Sequence, residues 1–252
     1  MKHWSKILIL AGLFLLGSTV AYFWSPNYLA NILLVYTLPV LLNLWWLKKT
    51  KWRILIFSLI TTLLFALPIE LLSRLADSWD VATTLPRLWG LIPLENMLFA
   101  FINFVWVLAF YEYFIDGETR PRLGRRAVQL LALYLTFFIL TVGSFLLFNS
   151  RLFGLSYWAV GLLILFLPAV LIFRRRPGLL KKTVLPTIFF ALIFFIHEMI
   201  SMKLGHWWWP GQYLLPTHFL GQTFPLDDVI IWYLLSTPAL IGGYEFFIDD
   251  YR

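Results

Sequence analysis

At 252 residues, with 61% hydrophobic and 13% charged side chains, the chain has too little polar surface to cover a water-soluble protein of its size. A formal charge of +7 would raise nucleic acid as a partner in a soluble protein. In so apolar a chain it is loop charge that orients helices, so nucleic acid is not expected. Zero Cys excludes disulfides and thiol chemistry.

Apolar runs between charged or turn-rich breaks predict eight spans, at 7–24, 28–47, 54–72, 93–114, 127–148, 155–173, 183–202 and 225–247. Each is long enough for a bilayer core of roughly 30 Å. The expected fold is an all-α polytopic membrane bundle, with lipid as its solvent. Lys2 and Lys6 before an apolar core, with Thr19-Val20-Ala21 after it, would suit a signal peptide. The apolar run continues to Trp24, however, and the fifth span fills the matching place in the second half, so a retained helix is expected.

Lys and Arg divide 16 to 4 between the two sides of this topology, which predicts cytoplasmic termini and an even number of spans in the cytoplasmic membrane. The longest connections, 73–92 and 203–224, fall on the poorer side. They carry Trp79, Trp89-Gly90, Trp207 to Trp209, Pro210-Gly211 and Tyr213. Loops so rich in Trp, Pro and Gly are expected to fold down onto the bundle.

The stretch 92–118 returns at 224–252. Each copy opens with Pro-Leu-acid, runs through an apolar helix and closes with Tyr-Glu-aromatic-Phe-Ile-Asp. Pro93 pairs with Pro225, Glu95 with Asp227, Tyr111-Glu112 with Tyr244-Glu245 and Asp116 with Asp249, at offsets of 132 to 133. Pro39 with Pro168 and Glu70 with Glu198 extend the match. Two parallel four-helix repeats are expected, 1–118 and 119–252. Self-association is left open.

Five acids stand at the poorly charged ends of spans: Glu70, Glu95, Glu198, Asp227 and Asp228. Acids near membrane depth are costly and therefore functional candidates. For Glu95, Asp227 and Asp228, helix capping next to a first-turn proline is the competing reading. If the halves are symmetric, the acids should converge on one site. A carboxyl in a dry aromatic cavity beside others can keep its proton and deliver it to an alkene. Aromatic faces would then stabilise the carbocation.

Other chemistries find no pattern. His197-Glu198 lacks the second His of a zinc-protease motif, since Ser201 stands there. A metal held by His197, His206, His218 and nearby acids is a weaker alternative. No phosphate loop or dinucleotide fingerprint appears, so no cofactor is expected. Tyr111-Glu112 and Tyr244-Glu245 read as anchors of helix ends.

The doubled Pro-Leu-acid helix ending in Tyr-Glu resembles the membrane-integral lycopene cyclase domain family, as does the approach Ile196-His197-Glu198, Gly205-His206-Trp207, Pro210-Gly211-Gln212-Tyr213-Leu214 and Pro225-Leu226-Asp227-Asp228. The resemblance covers roughly 54–118 and 183–250. It implies a redox-neutral ring closure on a polyene such as lycopene, with Glu95, Asp227 and Asp228 as motif acids. Glu70 and Glu198 would support them. Trp89, Trp207, Tyr213 and His197 are expected to line the site. Two departures stand out: Asn96 replaces the second acid of the first half, and the second half uses Asp for Glu. A member that only binds a carotenoid or prenyl lipid would also carry Asn96.

Overall fold

With no water available in an apolar phase, the backbone must satisfy its own hydrogen bonds, and helices do so within each segment. A computed structural model describes residues 3–118, 127–148, 161–211 and 213–248, and is mostly helical. The helices are α1 (His3–Trp24), α2 (Tyr28–Trp46), α3 (Lys51–Leu75), α4 (Leu94–Asp116), α5 (Ala127–Phe148), α6 (162–175), α7 (Pro177–Lys203) and α8 (226–248). Each of the eight expected spans coincides with a helix where it is described. Six of them, α1 to α4, α7 and α8, are long and apolar enough to cross a membrane. In α5 the apolar stretch is shorter, Leu131–Gly143, and 155–173 is described only from 161. The start of the second expected repeat at 119, Arg151, Asp249 and Asp250 lie outside the described residues.

The outward faces of these helices are as apolar as their inward ones. Leu8, Leu16, Phe23, Leu38, Trp45, Leu140 and Leu192 are all exposed. Helices that are hydrophobic all round need an apolar solvent on the outside. Inside, Phe14, Tyr36, Trp106, Phe110, Phe190 and Tyr244 belong to one buried cluster that draws on both halves of the chain. Gly17 lets α1 lie against α2, because a Cβ there would stand 2.8 Å from the Leu34 carbonyl oxygen.

Several helices contain π turns, and three of these end just before a proline. Thr62–Ala66 precedes Pro68, Leu162–Phe166 precedes Pro168, and Val229–Leu235 precedes Pro238. Proline offers no N–H and its ring crowds the preceding turn, so a widened turn upstream relieves the helix. The Leu67 N–H accordingly reaches back five residues to Thr62, and Leu167 likewise to Leu162.

Two further π turns, Glu112–Asp116 and Tyr244–Ile248, close α4 and α8 at the repeated Tyr-Glu motif. There the Tyr111 hydroxyl donates to Glu245 at 2.5 Å, and the Tyr244 hydroxyl donates to Glu112 at 2.7 Å. All four side chains are buried, so residues expected as interfacial anchors instead make reciprocal bonds between α4 and α8. Beyond them α4 stops at Gly117, which adopts the left-handed conformation and donates its N–H to the Glu112 carbonyl. Glu118, also left-handed, turns its carboxylate onto the N–H groups of Lys48, Lys49 and Thr50 at 2.5–3.1 Å, just before α3 begins.

Candidate functional site

At the opposite end of the bundle, both long loops fold down and join each other. In the first, β1 (Asp80–Val81) is followed by β2 (Arg87–Leu88) and β3 (Ile92–Pro93); the second holds β4 (Trp207–Trp208), β5 (Pro216–Phe219) and β6 (Gln222–Pro225). Strands β1 and β4 pair antiparallel, Asp80 opposite Trp208 and Val81 opposite Trp207. Gly211 packs on the first loop, where a Cβ would stand 3.1 Å from the Asp77 carbonyl oxygen. The Tyr213 hydroxyl donates to the Ser78 carbonyl. Burial, then Asp228, Asp227 and Glu198, push its phenol above its usual range.

Each loop enters its helix through a hairpin, β2–β3 or β5–β6, with a positive-φ residue and a glycine at the turn: Trp89-Gly90 and Leu220-Gly221. Such turns match the twist of the flanking strands. The hairpins deliver Pro93 and Pro225 to the starts of α4 and α8. The first motif acid then fastens its own loop. Glu95 accepts from the Thr84 and Leu85 N–H groups, both at 2.6 Å, and from the Thr84 hydroxyl. Asp227 accepts from the Leu214 and Leu215 N–H groups at 3.1 and 2.9 Å.

Consecutive helical residues point about 100° apart, so the next position in each motif faces elsewhere. Asn96 and Asp228 face a cavity of about 260 Å³ between the halves. Its polar head holds Glu70, Asn96, His197, Glu198 and Asp228 beneath Trp79, Trp207, Trp209 and Trp232. From there it runs along α4 past Asn103 to Val107 and along α8 to Gly243, between walls contributed by Phe65, Tyr134, Leu165 and Phe194. Asn96 to Val107 is about 16 Å of helix at 1.5 Å per residue. Phe65, Leu165, Trp232 and Tyr233 come from the π turns, so the widened helices shape this wall.

The two sides of the head differ. Glu70 accepts from Arg74 at 2.6 and 2.9 Å, from the Trp79 indole at 3.1 Å and from the Asn96 amide at 2.7 Å. Arg74 continues to Asp80, which also binds Arg87. This acid is therefore an ion-paired anion with both oxygens in use. Across the cavity the Glu198 and Asp228 carboxyls hydrogen-bond each other, which requires a proton on one of them. The other Glu198 oxygen, Oε1, is buried without a partner.

Beside them runs a chain of neutral groups. His206 Nε2 lies 2.8 Å from the Pro26 carbonyl, which can only accept, so Nε2 carries the proton. His206 Nδ1 then accepts from the Asn31 amide, which also donates to Ser201. Burial holds the His206 imidazole below its usual value, more than the bond to Pro26 raises it. The Ser201 hydroxyl and His197 Nε2 lie 3.3 Å apart, and a hydroxyl can donate to or accept from that nitrogen. His197 Nδ1 is buried and unpartnered.

The structure thus brings Glu70, Glu198, Asp228, His197 and Trp207 together at the cavity. Glu95 and Asp227 stand one helix position away, buried against their loops. Trp89, at a hairpin tip, is 43% exposed, and Tyr213 holds the loops together. Neither lines the cavity. Among the described residues no three His or acidic side chains converge as a metal site, and His218 lies on the exposed hairpin. Trp209, expected with Trp207 and Trp208 as a first candidate to line a cavity, does so, whereas Asn96, Trp79 and Trp232 belong to the site without having been singled out as its residues. Two of these three carried a signal: Asn96 follows the motif acid, and Trp79 lies in a loop expected to fold inward. Comparison with known proteins gives no matching family model, no similar curated protein and no similar solved structure.

Proposed function

We propose that this integral membrane protein takes one end of a polyene into its cavity and closes it into a ring by acid catalysis, as a carotenoid end-group cyclase. The observation that carries this reading is the hydrogen-bonded carboxyl pair Glu198 and Asp228 at the head of an apolar, aromatic-walled channel, a pair that needs one proton. That proton adds to the terminal double bond and leaves a tertiary carbocation. A nearby double bond of the same chain attacks the cation, forming the ring carbon–carbon bond. Loss of a ring proton to the carboxylate restores the acid, so no oxidant, reductant or cofactor enters the balance. Trp79, Trp207, Trp209 and Trp232 surround the head with rings that favour a passing cation.

The reading includes eight crossings in two parallel repeats, with the cavity head on the non-cytoplasmic side and both termini in the cytoplasm. The matched hairpins, loop-fastening acids and Tyr–Glu bonds support the repeats, and the charge split supports the orientation. Expression in lycopene-accumulating cells, with pigment chromatography, is the test. Cyclic carotenoid is expected, and unchanged lycopene beside folded protein in the membrane would reject the reading.

A second reading, binding or transport of a carotenoid or prenyl lipid without turnover, is favoured by the first half. There Asn96 replaces an acid and Glu70 is committed to Arg74. Pigment that co-purifies unchanged would select it.

A further inference from the structure

Three ring nitrogens at the cavity head have no hydrogen-bond partner: the indole N–H groups of Trp207 and Trp209, which can only donate, and His197 Nδ1. All three atoms are buried, and His197 is only 2% exposed. The protein has used the other polar groups beside them. Trp79 donates to Glu70, Asn96 is held between Tyr28 and Glu70, and His197 Nε2 is taken by Ser201. Close to His197, Glu198 Oε1 is a buried acceptor with no donor, since the proton of that pair lies in the bond to Asp228.

A buried polar nitrogen left without a partner is destabilising. A hydrocarbon polyene would enclose all three and offer only its π face, a weak acceptor. A hydroxyl matches the set, because its oxygen accepts from N–H and its proton can go to Glu198 Oε1. We infer that the ligand end entering this head carries a hydroxyl group, so that the preferred occupant is a hydroxylated acyclic isoprenoid. This rests on the proposal that the channel takes a polyene end, and it adds the chemical class of that end.

The test compares two probes with the full-length protein in detergent: an acyclic carotenoid with one allylic hydroxyl on an end methyl and its terminal double bond kept, and the hydrocarbon carotenoid of the same length. Equilibrium binding is read from pigment retained by the purified protein. The hydroxylated probe should bind about tenfold tighter, the factor one net hydrogen bond of about 1.4 kcal/mol provides. His197→Phe, Trp207→Phe and Trp209→Phe should each bring that ratio toward one. Equal affinities in the unmodified protein would overturn the inference and leave the polyene channel standing. A preference that survives all three replacements would overturn it as well. If neither probe binds, the channel reading fails together with it.

Discussion

Removing one hydroxyl from the Tyr–Glu exchange, by Tyr111→Phe or Tyr244→Phe, tests what joins the two halves at the end away from the cavity. Each phenol donates at 2.5–2.7 Å to a carboxyl group that is at most 1% exposed. A hydrogen bond to a charged group contributes about 1.5–3 kcal/mol, and the partner left behind keeps its desolvation penalty. Phe fills the same space, so packing is kept and the loss is that of the bond with its stranded carboxyl. At about 2–4 °C per kcal/mol for a chain of this size, each variant should lower the unfolding midpoint by about 3–12 °C. Thermal unfolding of detergent-purified protein, followed by circular dichroism, gives the shift. Were the bonds independent, the double variant would lose the sum of the two; in a single brace it loses at least about 0.5 kcal/mol less. A midpoint unchanged by either replacement would refute the argument.

Four further outcomes follow from the same geometry. Glu118→Gln should destabilise at neutral pH, because the Glu118 carboxyl, although burial opposes it, is held below its usual value by the N–H groups of Lys48, Lys49 and Thr50. Its contribution is present above the unfolded-state value of about 4.3 and is lost as pH falls through the lower folded value, so the gap between parent and variant should close there. Gly17→Ala should cost about 1–3 kcal/mol in unfolding stability by pushing α1 off α2, and an unchanged midpoint would contradict that close approach. Asp228→Asn should reduce cyclic product at least a hundredfold in pigment-producing cells. Glu95→Gln and Asp227→Asn act on loop anchoring, so they should reduce the amount of folded protein more than its activity per molecule.

The helices were legible because apolar length and charged breaks are local properties, and lipid rewards them directly. The turn glycines and the inward folding of the loops could be read for similar reasons. Which acid faces the cavity could not. Glu95 and Asn96 differ by one step of helical rotation, and only the path of the loop N–H groups decides which is taken up. The Tyr–Glu motif stood out by recurrence, yet an interfacial anchor and a buried cross-bond use the same residues. The choice depends on α4 meeting α8, a long-range fact. The hydrogen bond between Glu198 and Asp228 likewise joins residues on two helices, and no spacing within either helix announces it.

Isotope transfer from the carboxyl pair is the most direct measurement. Protein equilibrated in heavy water is given an acyclic carotenoid for a single turnover, and the product is weighed by mass spectrometry. The account predicts one deuterium gained per ring closed, and no labelled ring from Asp228→Asn. A cyclic product without deuterium, or the same labelled yield from the variant, would contradict it.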